Sequence, residues 1–279
     1  MSEHKLFCLT LDLENDWYFD EPGYDHLTLE YLDEFIELMQ ELELPLSVFV
    51  VGDTLERFPD EVDQLDAALD CEFHLHSYQH DTTKSYEFRE EVRRGVAVFE
   101  DHFGDQPVGY RAPQGNIEPN EFMILDDEGF AFDSSVFPSF RPGVYNNLNA
   151  PIEPFWPDGG ESLLEIPLGV VRGIRIPTAL SYVKAIGQPM LSLFRVAPMP
   201  SVVVFNIHLQ DLYRTDSHAQ LQQPKKTFML RNMERSAELF ESAVNTLIAR
   251  GYDPRHITDV VDQNLRANQV DFQSRKTAS

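Results

Sequence analysis

The chain alternates short apolar stretches with amphipathic stretches along its whole length. "LFCLTLDL", "SVFVV" and "CEFHLH" are typical of strands, whereas "TLEYLDEFIELMQEL" places its apolar residues on one face at helical spacing. Strands that alternate with helices form parallel sheets, because each helix returns the chain to the same edge of the sheet. The pattern therefore predicts an α/β protein with a mostly parallel sheet.

The later part of the chain continues this alternation after one long interruption. Residues 138–160 are rich in Pro, Gly and Asn, which predicts a long loop of the kind that often forms the wall of a substrate groove. A helix is predicted from about Phe228 to Arg250, and "HITDVVDQNL" is predicted as a closing helix. The 279 residues show no internal repeat or linker, so we predict one domain over residues 5–265 and a polar tail over 266–279.

The net charge of −25 excludes some classes of partner. Binding of nucleic acid requires a basic surface, so nucleic acids and polyanionic substrates are disfavoured. The acidic residues are spread through the whole chain, which is typical of a surface adapted to high salt, where like charges are screened. An ordinary acidic cytosolic protein is the alternative.

The ends of the chain and its cysteines indicate the compartment. Cys8 and Cys71 both lie in apolar, strand-like stretches, where a free buried thiol is expected. The N-terminus enters a strand pattern directly, without the cationic and apolar regions of a signal peptide. No stretch approaches the roughly 20 apolar residues of a membrane span. We therefore expect a soluble, cytoplasmic protein.

Polar residues cluster at the predicted carboxyl ends of the strands, where reactive groups collect in parallel α/β folds. These residues are Asp12, Glu14, Asp16, His76, His80, Arg111, Asp133 and His208.

Two of these residues suggest a metal site. His76 and His80 are four positions apart, a spacing that would place both imidazoles on one face of a helical turn. A catalytic zinc takes a third protein ligand, and the first strand can supply a carboxylate. His74 lies one strand step deeper on the same side as His76, which favours a core or supporting role. If the pair stood alone, an ordinary polar strand end would be the better interpretation. Other strands also end in polar residues, namely the Asp-x-Glu pair, Arg111 and His208, and this combination favours a metal site.

Five motifs in this order resemble the polysaccharide deacetylase family, carbohydrate esterase family four. The motifs are "TLDLEND", "HSYQH", "YRAPQG", "FDSSVFP" and "FNIHL". The resemblance covers roughly residues 5–265. It implies a single-domain, distorted (β/α) barrel with seven or fewer parallel strands, and a metal-dependent enzyme that removes N-acetyl, in preference to O-acetyl, groups from a glycan.

The resemblance also implies roles for the strand-end residues. The first motif resembles subfamilies with an Asp-x-Asp or Asp-x-Glu pattern, which makes Asp12 the catalytic base and Glu14 a metal ligand, with Asp16 as the second choice. His76 and His80 would complete the metal site. The expected ion is Zn²⁺, although two His and one carboxylate also suit Co²⁺ or Fe²⁺.

The remaining motifs imply the supporting groups. Arg111 would pair with Asp12, and His208 would protonate the leaving amine. Asp133 would adjust the pKa of His208, although the usual Asp-Trp pair of the fourth motif is missing. Tyr78, Trp17 and Trp156 could bind substrate by stacking on sugar rings, although large aromatic residues lie more often in the core. Pro113 is the fourth substrate-binding candidate.

Two alternatives to a glycan deacetylase stay open. One is a different amide hydrolase of the same superfamily, similar to allantoinase. The other is a catalytically silent protein that binds glycans or assists their assembly. The simultaneous presence of Asp12, Arg111 and His208 favours an enzyme, since a binding protein needs neither a base nor an acid.

Overall fold

The computed structural model describes residues 5–19, 21–160 and 162–265 of the chain. The described strands are β1 (Leu6–Leu13), β2 (Leu46–Val50), β3 (Cys71–Leu75), β4 (Gly109–Tyr110), β5 (Phe132–Asp133), β6 (Phe140–Arg141), β7 (Tyr145–Asn146), β8 (Leu164–Glu165), β9 (Val202–Ile207) and β10 (Asp253–Pro254). The predicted tail over 266–279 lies outside the described residues.

Helices connect most of these strands. They are α1 (Leu32–Leu42), α2 (Gly52–Arg57), α3 (Pro59–Ala68), α4 (Phe88–Phe103), α5 (Pro119–Asp127), α6 (Leu180–Ile186), α7 (Gln188–Val196), α8 (Leu209–Leu212), α9 (Ser217–Gln220), α10 (Lys225–Leu230) and α11 (Ser236–Ala249). A final helical stretch covers residues 257–265, as predicted. Within the described residues, no helix has the length and apolar character needed to cross a membrane.

The main sheet is parallel and curves into a half-barrel. Seven consecutive strands run in the order β9-β1-β2-β3-β4-β5-β8. The two-residue β10 pairs with the beginning of β1, on the same edge of β1 as β2. Helices surround the outer face. The predicted distorted (β/α) barrel with a parallel sheet is therefore confirmed.

An irregular segment fills the space between β8 and β9. Residues 163–171 resemble one continuous strand in sequence, but only Leu164–Glu165 is a strand, because Pro167 has no N–H to donate to a ladder. Farther along, the Gly169 N–H donates to the Val204 carbonyl at 2.9 Å and the Asn206 N–H to that of Thr178 at 3.2 Å. This segment takes the place of an eighth full strand.

The two faces of the central strands are occupied by different residues. On β1, Phe7, Leu9 and Leu11 pack outward against the helices, whereas Leu6 and Cys8 belong to the apolar cluster inside the barrel. Since side chains alternate along a strand, Thr10 and Asp12 continue the inward row. The same alternation on β9 places Val202 and Val204 inside. The interior is therefore apolar at its base and polar at the carboxyl edge of the sheet.

Two helical segments are interrupted in the structure. The segment after β2 divides into α2 and α3, because Pro59 begins a new helix. The helix predicted from about Phe228 to Arg250 divides into α10 and α11, with Asn232 between them in the left-handed region at φ 55°. By contrast, α4 is uninterrupted and ends at Gly104, with φ 81° at the cap. Residues 138–160 form a loop that contains the small β6–β7 hairpin and an isolated antiparallel bridge from Phe155 to Glu165.

Candidate active site

The last inward-facing side chains of β1, β3 and β9 lie close together at one end of the barrel. Asp12 ends the row of β1, His76 follows the end of β3, and His208 follows the end of β9. All three line a cavity of about 610 Å³ at the carboxyl edge of the sheet. The alternation of side chains along each strand therefore determines which polar residues lie in the site.

Three of these residues form a cluster that could hold a metal ion. Ligand atoms of Glu14, His76 and His80 all lie within 4.8 Å of one another. Glu14 Oε2 is 2.6 Å from His80 Nε2 and 3.7 Å from His76 Nε2. The cluster draws on β1 and β3, which are separated in the sheet by β2.

The backbone after β3 brings the two histidines together without a helix. Ser77 and His80 both have left-handed backbone angles, with φ 59° and 55°. The Ser77 Oγ accepts the His80 N–H at 3.0 Å, which holds this turn closed. The two imidazole centroids are 5.0 Å apart. The predicted helical turn is therefore wrong, although its consequence, two neighbouring imidazoles, is present.

The chemistry of this cluster fits a divalent ion. His76 Nδ1 donates to the carbonyl of Arg111 at 2.8 Å, which directs Nε2 toward Glu14. Glu14 Oε2 is buried and has no well-formed hydrogen bond. A buried oxygen without such a partner is costly unless a cation or proton compensates it. Two imidazoles and one carboxylate form the three-ligand set of a catalytic zinc site.

Asp12 lies in a buried polar network beside this cluster. Arg111 Nη1 donates to Asp12 Oδ1 at 2.6 Å, and Asn206 Nδ2 donates to Asp12 Oδ2 at 2.9 Å. Arg111 is only 1% exposed and stacks over the Phe49 ring at 3.8 Å. Burial works to raise the pKa of Asp12, but the charges of Arg111, His76 and His208 hold it well below its usual range. The carboxylate is therefore ionised and fixed in orientation.

His208 joins Asp12 to a second buried carboxylate. Its Nε2 lies 3.5 Å from Asp12 Oδ2, and its Nδ1 lies 3.3 Å from Asp211 Oδ2. Burial opposes protonation of the ring, but these carboxylates and Glu14 raise the pKa of His208 well above its usual value. Lys184, which is fully buried, lies 3.5 Å from Asp211 Oδ1. Its charge holds the pKa of Asp211 below its usual value despite burial.

The role predicted for Asp133 is wrong. Asp133 accepts hydrogen bonds from Ser135 and is paired across β5 and β8 with Glu165, so it does not contact His208. On β5, Phe132 and Ser134 face the barrel interior, and Asp133 therefore faces the other way. The partner of His208 is Asp211, three residues farther along. An acid that closely follows the motif "FNIH" was the available sequence signal.

Asp16, the second choice for a ligand, has other partners. Its Oδ1 accepts the hydroxyl of Thr28 at 2.6 Å, and its Oδ2 accepts that of Ser217 at 3.2 Å. Burial raises the pKa of Asp16 despite these bonds. Asp16 lines the cavity but lies outside the cluster of Glu14, His76 and His80.

Only one of the four predicted substrate-binding residues lines the cavity. Trp17 does so, while its Nε1 donates to Ser217 Oγ at 2.8 Å. Tyr78 instead bonds to Glu56 under the guanidinium of Arg94, and Trp156 packs against the apolar interior cluster. Pro113 is not among the lining residues, although both of its neighbours are. The cavity therefore brings in Trp17 and leaves the other three outside its lining, and their role in substrate binding stays a prediction.

Other aromatic side chains form the walls instead. They are Tyr18, Phe137, Tyr145, Tyr182 and Phe228. The ring of Tyr18 stacks on that of His80, with centroids 4.3 Å apart. Tyr145 belongs to the loop that was predicted as a groove wall. Tyr18 follows the first motif, Phe137 lies within the fourth, and Tyr182 and Phe228 lie inside short helices.

Comparison with known proteins identifies related sequences and folds. The sequence model described as polysaccharide deacetylase matches residues 19–131, a range that includes His76, His80 and Arg111. A peptidoglycan deacetylase-like protein of Gibberella zeae is 28% identical over 91 residues, which are 32% of this chain and 27% of that protein. The match thus spans about a quarter of the relative's length.

Solved structures share the fold over most of the chain. A candidate polysaccharide deacetylase from Mycobacterium smegmatis matches with a TM-score of 0.62 and 17% identity, over 96% of this chain and 93% of that one. A CE4 family pseudoenzyme from Bacillus anthracis matches with a TM-score of 0.54 and 14% identity, over 92% of this chain and 66% of that one. At these identities the likeness establishes the architecture.

Proposed function

The chain belongs to the polysaccharide deacetylase family, carbohydrate esterase family four, and from that membership we propose that it is a metal-dependent hydrolase that removes N-acetyl groups from a glycan. The observation that carries the proposal is the meeting of three groups at one end of one cavity. They are the cluster of Glu14, His76 and His80, the Asp12–Arg111 pair, and His208 with its own carboxylate. A glycan-binding protein would need only the cavity.

Glu14, His76 and His80 would hold the ion, with Zn²⁺ as the first choice. When bound, a divalent ion supplies Lewis acidity, which polarises the acetyl carbonyl and activates a water molecule. The separation of roles within the first motif, Asp12 as base and Glu14 as ligand, is part of the proposal. It is supported by the hydrogen bonds of Asp12, since Arg111 and Asn206 occupy both of its oxygens.

Asp12 would accept the proton of the attacking water. Arg111 keeps the carboxylate charged at neutral pH, and Asn206 fixes Oδ2. The low pKa makes Asp12 a weak base in bulk water, but a positioned base acts over a hydrogen-bond distance and needs no encounter. Fixed geometry therefore compensates for low basicity.

His208 would donate a proton to the departing amine from Nε2. Asp211 orients the ring by its contact at Nδ1 and stabilises the imidazolium. Lys184 keeps Asp211 ionised although that carboxylate is fully buried. An amine is a poor leaving group unless it is protonated, so N-acetyl cleavage needs such an acid more than O-acetyl cleavage does.

The test of this function measures metal content and acetate release together. Purified protein is loaded with Zn²⁺, Co²⁺ or Fe²⁺ and offered an N-acetylated chitooligosaccharide, an O-acetylated xylan and allantoin. We expect acetate from the first substrate and little or no turnover of the other two. Turnover of allantoin alone would replace the proposal with an amide hydrolase of the allantoinase type. Binding of the sugar without acetate release, by protein with one ion per chain, would make it a silent glycan-binding protein.

A further inference from the structure

Two basic side chains line the outer part of the cavity. Arg141 lies in the β6–β7 hairpin, and Lys225 begins α10. Apart from Arg111, which is paired with Asp12, they are the only Lys or Arg residues among the described residues that line this cavity. Both are open to solvent, whereas Asp12 and Glu14 lie at the inner end and are largely buried.

Neither cation has an acidic partner among the residues that the structure describes. Over the described ranges of the chain, no carboxylate lies within 4.0 Å of Arg141 or Lys225. Other described cations, such as Arg195, Arg214 and Arg231, also have no carboxylate within 4.0 Å, whereas Arg57, Arg89, Arg172 and Arg235 do. Arg141 and Lys225 differ from all of these because they line the cavity.

The two cations also influence each other. The cavity walls, and after them the charge of Arg141, lower the pKa of Lys225. Lys225 Nζ lies 4.6 Å from the centroid of the Trp17 ring, and Arg141 pairs with Tyr145 across the hairpin. Two like charges that line one cavity repel each other unless an anion lies between them. Each cation has an aromatic ring beside it.

We propose that Arg141 and Lys225 bind an anionic group of the substrate, a carboxylate or a phosphate, so that the enzyme acts on an acidic glycan. This inference rests on the proposed deacetylase function. Lys and Arg both bind such groups by charge-assisted hydrogen bonds. Trp17 and Tyr145 offer flat surfaces for the sugar rings.

The charge distribution also gives the substrate a direction. The carboxylates at the inner end would repel an anion, whereas the outer cations attract it, so the acetyl group lies inward and the acidic group outward. The net charge of −25 still disfavours a densely charged polyanion. A glycan with isolated acidic groups, each surrounded by neutral sugar, satisfies both conditions.

The experiment compares three matched trisaccharides. They are N-acetylated chitotriose, the same trimer oxidised at C6 to a uronate, and the trimer phosphorylated at C6. Binding is measured by calorimetry in the Asp12→Asn variant, which prevents turnover, and again after adding Arg141→Gln, Lys225→Gln or both. Lys226→Gln is the matched control, because Lys226 is the next residue, donates to the Ala219 carbonyl and does not line the cavity.

We expect at least one acidic trimer to bind about tenfold more tightly than the neutral trimer, as a hydrogen-bonded charge pair allows. Each single variant should remove most of this preference, the double variant all of it, and Lys226→Gln none. The preference should shrink in 1 M salt. The stronger of the two acidic probes tells whether the site takes carboxylate or phosphate.

The outcomes separate the two proposals. Equal binding of all three trimers, unchanged by Arg141→Gln and Lys225→Gln, overturns the acidic-glycan inference even if wild-type protein releases acetate from the neutral trimer. Charge-dependent binding that needs Arg141 and Lys225, with no acetate released from any trimer by metal-loaded wild type, supports the anion site and rejects the deacetylase.

Discussion

Asp211 Oδ2 lies 3.3 Å from His208 Nδ1, and only two residues separate these partners in the chain. Asp133, the other acid considered for this role, contacts Ser135 and Glu165 instead. The imidazole therefore depends on a carboxylate in its own short segment.

We predict that Asp211→Asn lowers kcat roughly 10²-fold, because the imidazolium loses a charged partner. Asp133→Asn is the matched control and should leave kcat within about threefold of wild type. Both variants are checked for folding by circular dichroism and for bound metal. A large loss of kcat in folded Asp133→Asn, with little change in Asp211→Asn, would reverse the assignment.

Removal of the proposed ligands should remove the ion. The double variant His76→Ala, His80→Ala is expected to hold little metal, whereas wild type holds about one ion per chain. His102→Ala serves as the control, since His102 lies in the last turn of α4 and does not line the cavity. Metal content is measured by mass spectrometry after dialysis. Equal metal in the double variant and wild type would place the ion elsewhere.

Asp12→Asn should separate the base from the ligands. The variant keeps Glu14, His76 and His80, so we expect it to retain about one ion per chain while kcat falls by about 10²-fold or more. The amide can still accept a hydrogen bond from Arg111, which preserves the local packing. Loss of metal together with activity would instead make Asp12 a ligand.

The pair of Asp133 and Glu165 predicts a pH dependence of stability. Burial, and then the neighbouring Asp133, raise the pKa of Glu165 well above its usual value. The folded state therefore keeps a proton that the unfolded state loses above roughly pH 4.3. Stability from this group is complete below that pH and falls as the pH rises toward the folded pKa.

Glu165→Gln should remove this loss, because the amide mimics the protonated acid and can still accept the Val136 N–H. We expect a higher free energy of unfolding than wild type at pH 7 to 8, by about 1 kcal/mol or more, and no gain near pH 4. Urea denaturation across this range measures the difference, with the exposed Glu41→Gln as control. A constant difference between Glu165→Gln and wild type at every pH would contradict the shift.

Alternation of side chains explains both the success and the failure of the sequence analysis. It places Asp12 and His76 on inward rows, and their meeting at the carboxyl edge follows from the parallel sheet. The same rule, applied to β5, would have excluded Asp133, since Phe132 already faces inward. That register was not visible in the sequence, because β5 is only two residues long.

Features that depend on local backbone geometry could not be predicted. The turn of Ser77 and His80 needs left-handed angles that favour glycine, whereas the four-residue spacing predicted a helical turn in its place. The aromatic walls come from distant segments, including Tyr145 and Phe228, whose positions depend on how loops fold over the barrel. The cytoplasmic location and the adaptation to high salt stay predictions.

The loop after β1 carries a proposed metal ligand and two aromatic side chains that line the cavity. Glu14, Trp17 and Tyr18 lie within five residues, and the hydrogen bonds of Asp16 to Thr28 and Ser217 anchor the loop between them. Tyr18 is also stacked on His80. In the proposed enzyme, a sugar that displaces Tyr18 would also move the ring stacked on His80, which is a proposed metal ligand. Substrate binding and the geometry of the proposed ligands would then be linked, so binding of a glycan should change the exchange rate of the proposed ion.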